Sequence, residues 1–202
     1  YMVIGSRTAA LIMSLAPMLT AVIGWFFLDE TLSALNILAI VISMAGIVIA
    51  ISNRQMKLNI PFKGFLLAFG GALGQAVGLI LSKKGMGSYD PIAATQIRAI
   101  FGLMSFGVMI SVIGRWHSIG AATKNKSGMK AVAVGSFFGP FIGVALSLFA
   151  IQQTKTGIAS TLMALVPVFI IWPSAIMFDE KIKPQQIIGA AISIIGVSLF
   201  FM

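Results

Sequence analysis

The chain has 202 residues, of which 58% are hydrophobic and 9% are charged, and its mean hydropathy is +1.02. Because an ordinary soluble domain carries roughly a quarter charged residues, this composition excludes a soluble globular protein and indicates an integral membrane protein. The net charge of +9 does not indicate nucleic acid, since the cations fall between apolar runs, where anionic lipid headgroups are their natural partners. With no cysteine and one histidine, His117 in a polar stretch, we expect no metal and no cofactor.

Seven apolar runs follow one another along the chain, each close to the length of about 20 residues that crosses a bilayer as a helix. They cover residues 9–28, 33–51, 62–82, 92–114, 129–151, 157–178 and 185–202. The runs are long, do not alternate, and are rich in Ala, Leu and Ile, so helix is favoured over strand. The predicted fold class is therefore an all-α integral membrane protein with seven transmembrane helices.

An internal repeat relates the first two spans to the last two. Met13-x-Leu15-x-Pro17, Asp29-Glu30 and Ser43-x-x-Gly46 return 150 residues later as Met163-x-Leu165-x-Pro167, Asp179-Glu180 and Ser193-x-x-Gly196. One repeat unit is then five spans, and because five is odd, the two copies cross the membrane in opposite directions. The repeat predicts ten helices in two inverted copies.

The copies divide the chain into three parts. Residues 1–52 hold the last two helices of the first copy, 53–61 the loop between copies, and 62–202 the five helices of the second copy. A complete first copy would start about 90 residues before Tyr1. We expect this chain to be the carboxy-terminal part of a longer protein.

At these residues the chain resembles the EamA-type proteins of the drug/metabolite transporter superfamily. The matching pattern is a span with a central proline, an acidic pair after an apolar run, and a span that ends in glycine and an apolar residue. It stands here as Ser14-Leu15-Ala16-Pro17, Leu28-Asp29-Glu30-Thr31-Leu32 and Ala45-Gly46-Ile47, and again as Ala164-Leu165-Val166-Pro167, Phe178-Asp179-Glu180-Lys181-Ile182 and Ile195-Gly196-Val197.

The resemblance implies a ten-helix carrier that moves small metabolites, often outward, with this chain holding the fourth to tenth helices. In that family the helices that match the first, third, fifth and sixth spans contribute to a central cavity. By this analogy the cavity candidates are Phe137, Phe141, Ser160, Met163 and Ala164.

Three polar residues within spans are further candidates for substrate binding. Arg98 lies about two turns into the fourth span, where a charge is costly and indicates pairing with a carboxylate substrate. An arginine two turns from a helix end can also snorkel to the headgroups, and we favour snorkelling or a structural ion pair for Arg98. Gln75 and Gln96 suit uncharged hydrogen bonding in the cavity, with helix–helix bonding as the alternative.

Four prolines lie within spans and are candidate hinges or kinks: Pro17, Pro140, Pro167 and Pro173. Each proline lacks a donor and frees the carbonyl group four residues earlier. In hydrocarbon that carbonyl needs protein or water as a partner. Pro17 and Pro167 occupy equivalent positions in the two copies, which fits either a hinge at the cavity or a packing kink.

Two rows of glycines predict close helix packing: Gly70, Gly74 and Gly78 in one span and Gly135, Gly139 and Gly143 in another. Two weaker versions, Gly189-x-x-x-Ser193 and Ala39-x-x-x-Ser43, fit contacts either between repeats or between subunits. The sequence therefore does not decide between a monomer and a homodimer.

The acids lie near helix ends, and none lies in mid-membrane, so this part of the chain shows no proton-coupling site of the usual kind. We predict that Asp29-Glu30 and Asp179-Glu180 close tight turns and meet the positive amino-terminal end of the following helix. A solute carrier without proton coupling is therefore an alternative.

These patterns together predict a multi-pass transporter of the cell membrane, with the lipid bilayer and a small-molecule substrate as its partners. An enzyme is disfavoured because the chain offers few groups for acid–base or metal chemistry. A light-driven retinal protein is excluded because the last span has no lysine. A non-transporting membrane scaffold, or a half-carrier that needs a partner subunit, is the alternative.

Overall fold

A computed structural model of the chain describes residues 6–51, 61–123, 125–178 and 182–202. The secondary structure of these residues is helical and contains no strand among them, which confirms the all-α fold class. The α-helices are α1 (Ser6–Met13), α2 (Ala16–Leu28), α3 (Ala34–Ile51), α4 (Phe62–Met86), α5 (Pro91–Ile113), α6 (Trp116–Thr123), α7 (Lys126–Ser136), α8 (Val144–Gln153), α9 (Thr156–Met163), α10 (Val166–Phe178) and α11 (Pro184–Ser198). A π-helix (Phe137–Gly143) joins α7 to α8, and a 3₁₀ turn (Leu199–Phe201) follows α11.

Seven helical segments in the described ranges are long and apolar enough to cross a membrane, as the sequence predicts. The third span extends beyond its predicted end at residue 82, because α4 continues to Met86 with Lys83 and Lys84 in its last turn. Cations are favourable at a helix carboxy terminus, where they face the negative end of the helix dipole, so the two lysines are accommodated inside the helix.

Helix caps explain where α5 and α7 begin. The Asp90 carboxylate accepts hydrogen bonds from the backbone N–H groups of Ile92 and Ala93 at 2.8 and 2.9 Å, and Pro91 occupies the first helical position. Asn125 caps α7 in the same way, accepting from Gly128 N–H at 3.0 Å. These side chains satisfy amide groups that the first turn of a helix leaves without partners. The fifth span therefore starts at Lys126, ahead of the predicted residue 129.

The short helix α6 lies in the polar stretch around His117, outside the seven predicted apolar runs. Gly114 ends α5 with a positive φ of 70°, which a glycine adopts without steric cost. The chain then turns into α6, where Trp116 donates from Nε1 to Ser111 Oγ at 3.2 Å. His117 is an exposed residue of α6.

The structure divides into two compact units, the first comprising residues 1–84 and 153–202 and the second residues 85–152. In the second unit, Gln152 at the end of α8 donates hydrogen bonds to the carbonyl groups of Gly87 and Tyr89 at 2.9 and 3.0 Å. This contact fixes the turn between α4 and α5 to the end of the fifth span. The predicted inter-repeat loop, 53–61, lies outside the described residues except for Pro61, and the repeat boundaries stay a prediction.

The core of the first unit is the seam between α3 and α11, the second helix of each predicted repeat pair. The close contacts along it are Ser43 with Gly196, Gly46 with Ser193 and Ala50 with Gly189. Residue numbers therefore rise along α3 as they fall along α11, so the two helices pack antiparallel. Beside this seam, Ile47 is fully buried against Leu165 and Val168.

Candidate functional site

Two membrane spans of the first unit are broken at equivalent positions. The first span divides between Met13 and Ala16, and the sixth divides between Met163 and Val166. At each break the chain makes a tighter turn: Leu15 N–H bonds the carbonyl group of Ile12 at 3.1 Å, and Leu165 N–H bonds that of Leu162 at 3.2 Å. The breaks thus lie 150 residues apart, like the sequence motifs that contain them.

Pro17 and Pro167 explain the position of the breaks. A proline inside a helix lacks a donor, and its ring clashes with the carbonyl group four residues earlier. In the first turn of a helix neither problem arises, because those N–H groups have no helical partner. The structure places Pro17 in the first turn of α2 and Pro167 in the first turn of α10. Each break therefore precedes its proline. A hinge function stays a prediction.

The other two prolines have different settings. Pro140 lies within the π-helix, whose wider turn is a common feature of functional sites in membrane and soluble proteins. In this segment Phe137 and Phe141 stack with ring centroids 5.9 Å apart. Pro173 lies inside α10, and the helix continues through it.

The two broken spans pack directly against each other through α2 and α9. Thr20 Oγ1 lies 3.3 Å from Ser160 Oγ and also donates to the carbonyl group of Ala16 at 2.8 Å. Thr20 and Ser160 are almost completely buried. Closer to the helix ends, Gly157 lies against Ala21 and Thr156 lies against Gly24. This order of contacts makes α2 and α9 antiparallel, like the α3–α11 seam.

The start of α9 is bound by a set of polar contacts, which we call the Glu30 network: Glu30, Lys83, Thr154 and Thr156. Glu30 Oε2 accepts from both the N–H and the Oγ1 hydroxyl of Thr156, each at 2.7 Å. Glu30 Oε1 pairs with Lys83 Nζ at 2.7 Å, and Lys83 also donates to the Thr154 carbonyl group at 2.5 Å. The carboxylate is little exposed, so these bonds form in a partly desolvated setting, where charge-assisted hydrogen bonds are strong.

The backbone around Asp29 places the Glu30 side chain. Asp29 has a positive φ of 52° and ends α2 in a left-handed turn, as predicted for a tight turn. The backbone N–H groups of Asp29 and Glu30 both reach the carbonyl group of Gly24. Our prediction for the Glu30 carboxylate was wrong in its partner, because it meets the amino terminus of α9 and not that of α3. Asp179 and Glu180 lie outside the described residues.

A cavity of about 570 Å³ lies between α2 and α3 in the first unit. Its walls are apolar except at one end, where Glu30 and Thr31 border it; the apolar lining includes Met18, Val22, Trp25, Ile37 and Val41. The second unit has a cavity of about 450 Å³, lined by Asp90, Pro91, Phe141, Leu146 and Phe149 among others. Both volumes are in the range of small-molecule sites.

The predicted cavity residues fall in both units. In the first unit, Ser160, Met163 and Ala164 lie together at the end of α9 next to the break, while Gln75 is exposed on α4. In the second unit, Phe137 and Phe141 lie together on the π-helix, and Gln96 and Arg98 are exposed on α5. Their role in substrate binding stays a prediction. Sequence reasoning missed Thr20, Lys83 and Thr156, for which no repeated motif gave a signal.

Among the residues that the structure describes, the predicted glycine rows make no close contact with another helix of their own unit. In the first unit, a Cβ added at Gly70, Gly74 or Gly78 would meet no heavy atom within 4 Å. In the second unit the same is true of Gly135 and Gly139, and Gly143 has only Phe138 O, at 3.6 Å. The backbones come closest at Gly46 and Gly196, which belong to the repeated Ser-x-x-Gly motif, and at Gly189, which belongs to one of the weaker motifs.

Comparison with known proteins identifies the family. The model of the EamA-like transporter family matches residues 3–52 and 62–202, so the chain belongs to this family. The described residues include seven helices able to cross a membrane, so the chain is a multi-pass membrane protein.

Similar proteins carry transporter names. An "Uncharacterized transporter" of Clostridium kluyveri is 25% identical over 198 residues, covering 95% of this chain and 62% of that protein. "Uncharacterized transporter YyaM" of Bacillus subtilis is 26% identical over 192 residues (93% and 62%). A "Probable amino-acid metabolite efflux pump" of Escherichia coli K12 is 22% identical over 196 residues (94% and 65%). The chain thus spans about three-fifths of the length of these relatives.

Proposed function

We propose that the protein is a secondary carrier of the cell membrane that moves small metabolites outward by alternating access between two inverted repeats. Family membership and the transporter names of similar proteins support carriage across a membrane. The outward direction is proposed from the resemblance noted in the sequence and from the efflux pump among the relatives.

One observation carries the proposal: the broken spans of the two copies pack antiparallel on each other. Breaks within membrane helices are tolerated where they border protein or a water-filled cavity, and in transporters they lie at the substrate site between inverted repeats. Here both breaks lie close to the buried Thr20–Ser160 contact. The α2–α9 contact would then separate when one repeat rocks against the other.

We propose amino acids and their metabolites as the substrate class. The relative in E. coli is named for amino-acid metabolites, and the two cavities have the volume of small solutes. Each cavity is bordered by one carboxylate, Glu30 or Asp90, in a mostly apolar wall. Such lining suits a solute with an apolar body and a polar end.

Flux through the purified whole protein tests this proposal. Proteoliposomes loaded with a mixture of radiolabelled amino acids are expected to lose label faster than liposomes without protein. A matched preparation in which introduced cysteines at Thr20 and Ser160 are joined by a disulfide serves as the blocked control. Equal leakage from all three preparations, for every amino acid in the mixture, would favour the alternative of a non-transporting scaffold or a half-carrier.

A further inference from the structure

The Glu30 network lies where three membrane spans of the first unit end or begin. Glu30 follows α2, Lys83 is in the last turn of α4, and Thr156 is the first residue of α9. Of these, Glu30 belongs to the predicted first repeat, and Lys83 and Thr156 belong to the second. Every bond that Glu30 makes through its carboxylate therefore runs from one repeat to the other.

The geometry points to a latch: the Glu30 network holds the two repeats together at one membrane face and must open in each transport cycle. This inference rests on the proposed alternating access, which requires α2 and α9 to separate at one face and then at the other. Charge-assisted hydrogen bonds suit such a contact. They are strong while water is excluded, and water replaces them once the groups are exposed.

The seam between α3 and α11 differs from the latch, because we expect this contact to stay closed throughout the transport cycle. Its backbones are in direct contact through glycines, and its Ser43 and Ser193 are fully buried. Close backbone packing of this kind does not depend on flexible side chains whose contacts could break and form again. We therefore assign relative motion to the α2–α9 contact and not to the seam.

The closed form of the Glu30 network requires a glycine at position 24, where the network packs directly against the backbone of α2. A Cβ at this position would lie 2.7 Å from Thr156 Oγ1 and 3.1 Å from Glu30 Oε2. Any larger residue would therefore push the network apart without changing a charge. Lys155 adds a further tie, because its Nζ donates to the carbonyl group of Thr31 next to Glu30.

Accessibility of a single cysteine tests the latch without the need for a substrate. These 202 residues contain no cysteine, so Ser160→Cys introduces a reporter one turn inside α9, at a site that is 2% exposed. Cysteines elsewhere in the whole protein are replaced by serine. The rate of labelling by a membrane-impermeant maleimide is then measured from each side of sealed vesicles.

The test variants are Glu30→Gln, Lys83→Met and Gly24→Ala, each combined with the reporter. Asp29→Asn and Lys84→Met are the matched controls, because each removes the same charge one residue away at an exposed side chain. Loss of a hydrogen bond to a charged group is expected to shift the closed-to-open equilibrium, and hence the labelling rate, by about ten- to a hundredfold. We expect this increase from one vesicle side, in the three test variants and in neither control.

Labelling rates equal to those of the controls, in variants that elute as a single species on size exclusion, would overturn the latch even if the protein transports solutes. Faster labelling from one side in a protein that moves none of the tested solutes would show that the network closes the α2–α9 contact, and it would refute both the carrier function and the opening of the network in a transport cycle. Gly24→Ala disturbs the network without removing a charge, so faster labelling of this variant cannot be explained by misfolding that follows the loss of a charge. If only the two charge variants label faster and do so from both sides, the network is a general stabiliser and the latch is again refuted.

Discussion

The hydroxyl oxygens of Ser43 and Ser193, 150 residues apart in sequence, lie 3.5 and 3.3 Å from each other's backbone carbonyl oxygens, and the Ser193 hydroxyl also lies 2.9 Å from the Gly189 carbonyl oxygen. The pairing is reciprocal, as is the neighbouring one, in which Gly46 faces Ser193 and Gly196 faces Ser43. The contact therefore has the character of an isologous interface, with the same patch on both sides. It joins α3 and α11, which the sequence predicts to be equivalent helices of two repeats.

Gly46→Ala and Gly196→Ala should each destabilise the protein, because the added methyl group would overlap backbone atoms of the facing helix. Overpacking of this kind costs about 1–3 kcal/mol. The thermal midpoint in detergent, followed by size exclusion of heated samples, is expected to fall. Gly74→Ala is the control, since its Cβ meets open space and alanine is favoured over glycine in a helix. A fall in the midpoint for Gly74→Ala as large as that for Gly46→Ala would contradict the seam.

The effects of Gly24→Ala and Thr156→Ala should be non-additive. The methyl group at residue 24 meets the Thr156 hydroxyl first, at 2.7 Å, so removal of that hydroxyl relieves the closest overlap. The loss of unfolding free energy in the double variant is expected to be smaller than the sum of the losses in the two single variants, by about 0.5–3 kcal/mol. The measurement is a double-mutant cycle in chemical or thermal unfolding, with Gln185→Ala as a second partner that should give simple additivity, because Gln185 bonds the Ile49 carbonyl group at the carboxy-terminal end of α3.

A disulfide between cysteines at Thr20 and Ser160 should abolish flux reversibly. The two hydroxyl oxygens are 3.3 Å apart, a separation from which two thiols can be joined with small adjustments. If α2 and α9 must separate, cross-linked protein moves no solute, and a reductant restores the rate. Each single cysteine variant controls for the loss of a hydroxyl. Full flux in quantitatively cross-linked protein would show that the contact stays closed throughout transport.

Pro17→Ala and Pro167→Ala should slow transport while leaving the protein folded. Alanine restores an N–H donor and removes the ring clash, so the span can continue through the break as one helix. We expect loss of most of the solute flux, an unchanged elution profile, and a larger loss in the double variant. Pro61→Ala is the control, because that residue precedes α4 outside the helix. Wild-type flux in both single variants would remove any role for the breaks.

The apolar runs were sufficient to predict the seven spans, and the repeated prolines marked the two spans that are broken, but the sequence did not predict the partners of individual side chains. Pro17 and Pro167 stood out because they recur in equivalent positions, and proline acts locally on its own helix. Lys83 did not stand out, because its pairing with Glu30 depends on how helices far apart in sequence pack. Glu30 could be noticed in the sequence because it belongs to a repeated acidic pair, whereas its cationic partner Lys83 could not.

The glycines show the same limit. Gly70, Gly74 and Gly78 have the spacing of a packing face, yet the structure places nothing against them in their own unit. Spacing along one helix is the same whether that face meets a neighbour or lies open. Ser43-x-x-Gly46 was the better signal, because its return as Ser193-x-x-Gly196 marks a small-residue face in both copies. A repeated motif of small residues therefore predicts helix contact better than an unrepeated row.

The reciprocal seam also bears on how such a chain can arise. A Ser-x-x-Gly segment that binds a second copy of itself antiparallel needs no other surface to recognise, so two separate half-length chains would already contain both sides of the contact. Fusion of their genes would keep the pairing and make the partners permanent neighbours. After fusion the two sides are free to diverge, and substitutions at Ser43 or Gly196 then have to be matched across the seam instead of changing on both sides at once.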